Sequence, residues 1–355
     1  MPQSSQPAFL IAAGGTAGHV LPALAVADAL RRRGARVTFA GAQRAEATLV
    51  PEAGYELDAF RVEGLPRRPG LALVRAVARA GAAVPACIRI LRRRRPDVVL
   101  GGGGYVAGPV ALAARALRIP VALMEADAHL GLANRLSAPF ARRVFLAFPL
   151  ESRDGAKYRV VGRPIPARSQ PVPTEQARAL FGLPAEGPVV LLFGGSQGAA
   201  RLNEAAVEAW AERGPAVLHL AGAAHAEGVA ARVTRDGYVV LPFTDDFGAA
   251  LAAADLVVAR AGGSVWEVAA AGKPALLVPY PHATADHQTL NARFFERAGG
   301  AVVVPEPELD LAAQVDALLA DPERLAAMGA AMAALARPHA AEVVADELLA
   351  LAGAA

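Results

Sequence analysis

Residues able to do chemistry gather at glycine-rich turns. Gly14-Gly15-Thr16-Ala17-Gly18-His19 follows an apolar run, Ala8 to Ala13, and leads into a stretch of helical periodicity. There, backbone N–H groups and the helix dipole attract an anion or a polar oxygen. Glycine is needed because a Cβ would hold the ligand away. Gly194-Gly195-Ser196-Gln197-Gly198 has the same placement after Val189 to Phe193, and its amides and the Ser196 hydroxyl suit a diphosphate without a metal ion. His19 stands at a helix N-terminus, where an imidazole is disfavoured as a cation, which keeps it able to accept a proton. Binding a phosphate or capping the turn is the other reading of that histidine.

The same turns exclude other classes. A dinucleotide site should carry an acid at the end of the second strand to hold the ribose. Here that strand ends Phe39-Ala40-Gly41-Ala42, and the nearest acid is Glu46. No turn ends in the Gly-Lys-Ser/Thr of a nucleotide triphosphatase loop. No Asp-X-Asp motif for a divalent ion flanks them; the nearest candidate, Asp245-Asp246 before Phe247, reads as a helix cap.

The elements that must position these turns repeat. A strand from Ala8 to Ala13, a helix from about Pro22 to Arg33 ended by Gly34, and a strand from Ala35 to Ala40 make a βαβ unit. Strand, glycine turn and helix recur at Asp97 to Leu117, Pro188 to Ala211 and Asp255 to Ala271, which predicts two parallel sheets. Pro164, Pro166, Pro171 and Pro173 crowd the stretch Glu151 to Pro173, the expected interdomain linker. The expected domains are residues 1–160 and 161–337. A terminal helix over 338–355 would pack on one domain or bridge both.

Composition agrees. A chain of 355 residues that is 54% hydrophobic has material for two cores, and its 5% aromatic content suits helices packed on a sheet better than a β-sandwich. All but two of its 36 basic residues are arginine, and the net charge of +3 gives little support to a nucleic-acid partner. Cys87 is the sole cysteine, so no intrachain disulfide, zinc cluster or CxxC motif can form. No signal-peptide pattern opens the sequence, and no apolar run reaches the roughly 20 residues of a spanning helix. A cytoplasmic protein, soluble or peripheral to a membrane, is expected.

Five segments, GGTAGHVLPALAVADAL at Gly14, GGGGYVAGP at Gly101, GLANR at Gly131, GGSQGAARLN at Gly194 and RAGGSVWEVAAAGKPALLVPYP with HQTLNA from Arg260 to Ala292, resemble the MurG family in order and over nearly the whole chain. The resemblance implies an α/β protein of GT-B fold, with two Rossmann-like doubly wound domains facing across a cleft. It implies an inverting transfer of N-acetylglucosamine from UDP-N-acetylglucosamine to undecaprenyl-diphosphate N-acetylmuramyl-pentapeptide, with no cofactor, metal or covalent sugar-enzyme intermediate. Carried onto matching positions, it makes Gly195, Ser196, Gln197 and Gly198 diphosphate contacts. Arg260, Gly263, Ser264 and Glu267 join the nucleoside site, with Glu267 on the ribose, and His287 and Gln288 contact the sugar. On the acceptor side it points to Gly14, Gly15, Thr16, Ala17, Gly18, Tyr105, Glu125, Asn134 and Arg163, with His19 as leading base. Each role has a bland alternative: Glu267 as a first-turn carboxylate favoured by its helix dipole, Ser196 as a plain N-cap.

Two segments depart from the family. Its His-Glu-Gln-Asn reads Met124-Glu125-Ala126-Asp127 here, so an amide becomes a carboxylate. Asp127 either accepts from a sugar hydroxyl or shares the base role with His19. The family's Gly-Asn-Pro-Val-Arg reads Gly162-Arg163-Pro164-Ile165-Pro166, leaving Arg163 or Arg168 to replace the missing arginine. A transferase with another acceptor, or a silent sugar-nucleotide-binding subunit, stays open on these grounds.

From Arg61 to Arg95, ten arginines and the single acid Glu63 interleave with Leu71, Leu73, Val74, Val77, Val84, Ile88 and Leu91. The mixture suits docking on an anionic membrane surface, which a lipid-linked acceptor requires. Pro85 argues against one continuous helix, and two ordinary amphipathic helices are the alternative. The expected location is the cytoplasmic side of the cell membrane, among cell-wall synthesis partners.

Overall fold

The computed structural model describes residues 6–62, 70, 81–170, 172–195 and 198–353. The chain divides into two compact units, Met1–Pro166 with Arg337–Ala355, and Ala167–Ala336. The division falls among the prolines of the expected linker.

The first unit holds strands β1 (Ala8–Ala13), β2 (Arg36–Gly41), β3 (Leu57–Ala59), β4 (Val98–Gly103), β5 (Val121–Glu125), β6 (Arg143–Leu146) and β7 (Tyr158–Val160). They form one sheet in the order β3-β2-β1-β4-β5-β6-β7, with every pairing parallel. β1, β4 and β5 are buried along their whole length, which is why they read as continuous apolar runs with no polar alternation. The strand order reverses between β1 and β4, so the turns after these two strands meet at the switch point where doubly wound sheets bind ligands.

The first helix runs Ala17–Arg32 and starts earlier than the sequence suggests, with Pro22 inside it. Pro22 lies beyond the first turn of this helix, so its missing N–H leaves the Gly18 carbonyl without its usual partner four residues on. The terminal helix Ala340–Gly353 packs on this first helix: Val344, Ala345 and Leu348 share a core with Val26, Ala27 and Leu30. Its rim carries Arg32–Glu342 at 3.0 Å, Arg33–Asp346 at 2.7 Å and, from β6, Arg143–Glu347 at 2.9 Å.

The second unit repeats the plan with β8 (Val189–Phe193), β9 (Ala216–Leu220), β10 (Tyr238–Leu241), β11 (Leu256–Ala259), β12 (Ala275–Leu277) and β13 (Ala301–Val303). The order is β10-β9-β8-β11-β12-β13, again parallel, with the switch between β8 and β11. Val190, Leu192, Leu202, Trp210, Val258 and Leu276 lie in its core, under the helix Ala200–Trp210.

Candidate functional site

In the first unit the turns after β1 and β4 are in direct contact. A Cβ on Gly104, which has φ +77°, would fall 2.1 Å from the Gly14 carbonyl oxygen, and one on Gly103 would strike the His19 ring at 2.6 Å. Only glycine permits both approaches. Tyr105 flanks the same turn, its ring 3.1 Å from the Cβ position of Gly15, and burial followed by the charge of Glu46 raises its phenol. His19 is half-buried at the start of the helix Ala17–Arg32, with Nδ1 at 3.2 Å from Thr16 Oγ1. When Nδ1–H donates to that hydroxyl, Nε2 is the basic nitrogen of the ring.

Glu46, noted in the sequence only as the nearest acid, is fully buried beneath the turn. It accepts from the Gly15 and Ala42 amides, both at 2.9 Å, and fills the space beside Gly14 and Gly41. Its carboxylate orders the loop in place of a ribose. Arg163, also buried, donates to the Gly18 carbonyl, the group that Pro22 leaves unsatisfied. Arg168 belongs to the second unit and pairs with Asp245 at 3.3 Å. Asp246 occupies the N-cap position of the helix Phe247–Ala253 without a side-chain capping bond.

The turn after β5 is organised by Glu125. Its carboxylate accepts from the amides of Ala126 at 3.0 Å and Gly131 at 2.9 Å, and from Asn134 Nδ2 at 2.9 Å. Asn134 also donates to the Met124 carbonyl at 3.0 Å. Burial pushes Glu125 up to about 7, partly offset by the Gly131 and Asn134 bonds. Both residues are directed into their own loop, where they shape the segment that presents the half-buried Asp127.

In the second unit, no described residue comes within 4 Å of the Cβ position of Gly195 (φ +93°), whereas Gly198 (φ +74°) lies against the Ala221 carbonyl, 2.3 Å from its Cβ position. Ser196 and Gln197 lie outside the described residues. On the adjacent strand β11, the turn through Gly263 and Ser264 opens the helix Val265–Ala270, which carries the buried Glu267 in its first turn. Ser169 donates its hydroxyl to Glu267. Arg260 is buried and donates to the Val278 and Pro279 carbonyls at 3.1 and 3.2 Å while pairing with Glu306. After β12, the Tyr280 amide donates to Gln288 Oε1 at 2.9 Å, and His287 Nδ1 donates to the Thr284 carbonyl at 2.8 Å. The carbonyl contact places the His287 proton on Nδ1 and leaves Nε2 as the basic nitrogen. Two consecutive non-glycine residues, Ala285 and Asp286, take φ of 52° just before this pair. Such strain collects at functional segments.

Of the basic segment, residues 63–69 and 71–80 lie outside the described residues. Its last part forms the helix Val84–Arg94, with Pro85 in the first turn and Cys87, Ile90 and Leu91 buried. Arg93 and Arg94 pair with Asp58 of β3, and Arg94 with Glu56 at 2.5 Å, so acids distant in sequence neutralise part of the cluster. Arg89, Arg92 and Arg95 are exposed.

Sequence reasoning missed Ser169, Glu306 and the supporting role of Glu46. The first two are lone polar residues at long separation from their partners. Glu46 had a signal, a carboxylate in the first helical turn just past a strand that ends in glycine.

Comparison with known proteins places this geometry. Residues 9–146 match the glycosyltransferase family 28 N-terminal domain and residues 189–344 its C-terminal domain. The UDP-N-acetylglucosamine–N-acetylmuramyl-(pentapeptide) pyrophosphoryl-undecaprenol N-acetylglucosamine transferase of Acidithiobacillus ferrooxidans is 46% identical, over 97% of this chain and 98% of its own. The same-named protein of Halorhodospira halophila is 45% identical, over 94% and 96%. The crystal structure of Acinetobacter baumannii MurG is 31% identical and superposes with a TM-score of 0.78, over 97% of this chain and 99% of that one.

Proposed function

The chain belongs to the MurG family of GT-B glycosyltransferases, and we propose that it transfers N-acetylglucosamine from UDP-N-acetylglucosamine to an undecaprenyl-diphosphate-linked N-acetylmuramyl-pentapeptide. The observation that carries this reading is the switch point of the second sheet. There the glycine turn after β8, with no described residue near the Cβ position of Gly195, lies on the strand next to the β11 turn that bears Glu267. Amides of the first turn suit a diphosphate, and the second oxygen pair of chemistry, a buried carboxylate, suits two ribose hydroxyls. Gln288 and His287 Nε2 extend the same edge toward the sugar.

The first unit binds the acceptor, which brings the attacking alcohol, and supplies the base. The alcohol oxygen attacks the anomeric carbon from the face opposite UDP, the bond from that carbon to the diphosphate oxygen breaks, and the centre inverts. The alcohol proton passes to His19 Nε2, with Asp127 holding a hydroxyl nearby. Negative charge gathers on departing UDP, where the glycine turn stabilises it. An Asp127→Asn variant separates the two roles of that residue, because the isosteric amide keeps a contact and loses a proton acceptor.

A lipid-linked acceptor requires docking at an anionic membrane surface. Among the described residues no helix is long and apolar enough to cross a membrane, and the exposed Arg89, Arg92 and Arg95 suit head groups. Incubation with labelled UDP-N-acetylglucosamine and a short-chain acceptor analogue tests the whole reading. Disaccharide product is the expected result; donor binding without product, or product only with another acceptor, would refute it. Flotation with anionic liposomes at rising salt tests the docking.

A further inference from the structure

Beneath the glycine turn of the second unit lies a buried polar network to which the transfer as proposed assigns no role. His219 of β9 has no exposed surface, and its ring nitrogens face Tyr238 Oη at 2.9 Å and Asn203 Oδ1 at 3.0 Å. Asn203, also buried, stands in the first turn of the helix Ala200–Trp210 and donates through Nδ2 to the Ala221 carbonyl at 2.9 Å.

The proton positions follow from chemistry. The Ala221 carbonyl only accepts, so the Asn203 NH₂ must face it, which turns Oδ1 toward His219. Oδ1 only accepts, so His219 carries its proton on Nε2. Nδ1 of the neutral ring then accepts from the Tyr238 hydroxyl. Burial pushes His219 down to about 4, which keeps the ring neutral and this order of donors intact.

The far end of the chain of bonds is the ligand loop. Ala221 is anchored from the other side by its own amide, which donates to the Leu241 carbonyl at 2.9 Å. Gly198 packs directly against the Ala221 carbonyl at a φ of +74°, and its amide closes the turn on the Gly195 carbonyl at 2.9 Å. A shift of the Ala221 peptide therefore moves Gly198, and Gly198 moves Gly195.

We propose that His219 is a positioning residue for the donor site: its Nε2–H orients Asn203, which fixes the Ala221 carbonyl on which the diphosphate-binding glycine turn rests. The inference rests on the reading of that turn as a UDP site, and the test separates the two. Asparagine can imitate Nδ1 of a histidine and glutamine can imitate Nε2. His219→Gln thus keeps a donor to Asn203, while His219→Asn keeps only the partner of Tyr238. UDP binding is measured by calorimetry on the full chain, with thermal unfolding alongside. One lost hydrogen bond corresponds to roughly tenfold, so His219→Asn weakens UDP binding by about that factor and His219→Gln stays within about threefold. Equal affinities in the two variants would overturn the inference, since a role confined to core packing makes no such distinction. Nitrogen-15 NMR of the unaltered protein gives a check that survives any folding defect: the Nε2–H tautomer is expected, and Nδ1–H would overturn the proposal. An unaltered chain that binds no UDP would remove the donor-site reading itself, and the inference with it.

Discussion

At the end of β1 the glycine turn is filled by the chain itself: Glu46 occupies the space beside Gly14 and accepts from the Gly15 amide. At the end of β8 no described residue lies near the Cβ position of Gly195, and Gly198 packs on the Ala221 carbonyl, which accepts from Asn203, itself bonded to His219. The two turns share a topological position and differ in where the anion comes from. A turn that already carries its own carboxylate is suited to serve as a rigid mount for the side-chain chemistry proposed at His19. One without a described carboxylate is suited to a diphosphate brought by a ligand. On the proposed reading, the two-fold repeat of the sheet hosts two different tasks.

The comparison breaks most sharply at His19. If the first turn serves proton transfer and the second serves the donor, His19→Ala lowers turnover by about 10²- to 10⁴-fold while the dissociation constant of UDP stays within about twofold. Steady-state kinetics and calorimetry decide it. Parallel loss in both would mean that the turns are not separate in function.

The buried titratable groups of the two units should respond to pH with opposite sign. Glu125 is raised from 4.5 to about 7, first by burial, so the folded first unit holds a proton that its unfolded chain releases. Its contribution is fully present below pH 4.5 and is lost as pH rises to 7. His219 is lowered by burial from 6.5 to about 4, so the unfolded second unit holds the extra proton. Its contribution is fully present above pH 6.5 and is lost as pH falls to 4. Each span corresponds to about 3 kcal/mol at about 1.4 kcal/mol per pH unit. Hydrogen exchange of core strand amides, read separately in β4 and β8, should show the first unit gaining and the second losing protection from pH 7 to 4.5. Glu125→Gln and His219→Gln should each abolish one trend and leave the other.

A smaller effect belongs to Glu46→Gln. The change keeps the volume but turns an NH₂ toward one of two amide N–H groups, leaving a buried donor unpaired at about 2 kcal/mol. Unfolding of the first unit should move to lower denaturant, with UDP affinity unchanged. A loss of UDP affinity would show that the turns are coupled.

Much of this architecture is legible in the sequence because its signals are local. The βαβ units appear in runs such as Ala8–Ala13 and Val189–Phe193, buried strands whose apolar character needs no context. The glycine turns appear because only glycine can occupy them. Contacts that join distant segments leave no periodic mark. Glu267 and Ser169 meet across 98 positions, and Asn203 and His219 across 16. The inward turn of Glu125 is equally invisible, since a carboxylate after a strand reads the same whether it faces a ligand or its own loop.

The helix start shows how such a long-range contact can corrupt a local reading. Pro22 marks a helix's first turn by rule, but the helix begins at Ala17 because Arg163 takes the Gly18 carbonyl that Pro22 cannot serve. Arg163→Met should therefore destabilise the first unit by about 1 kcal/mol, the net worth of one hydrogen bond. Pro22→Ala supplies the missing N–H, so Arg163→Met should cost much less in that background. A double-mutant cycle on denaturant unfolding should give a coupling of about 1 kcal/mol between two residues remote in sequence. Additive costs would mean that Arg163 is present for a substrate and not for the turn, and would return it to the ligand-binding side of the comparison.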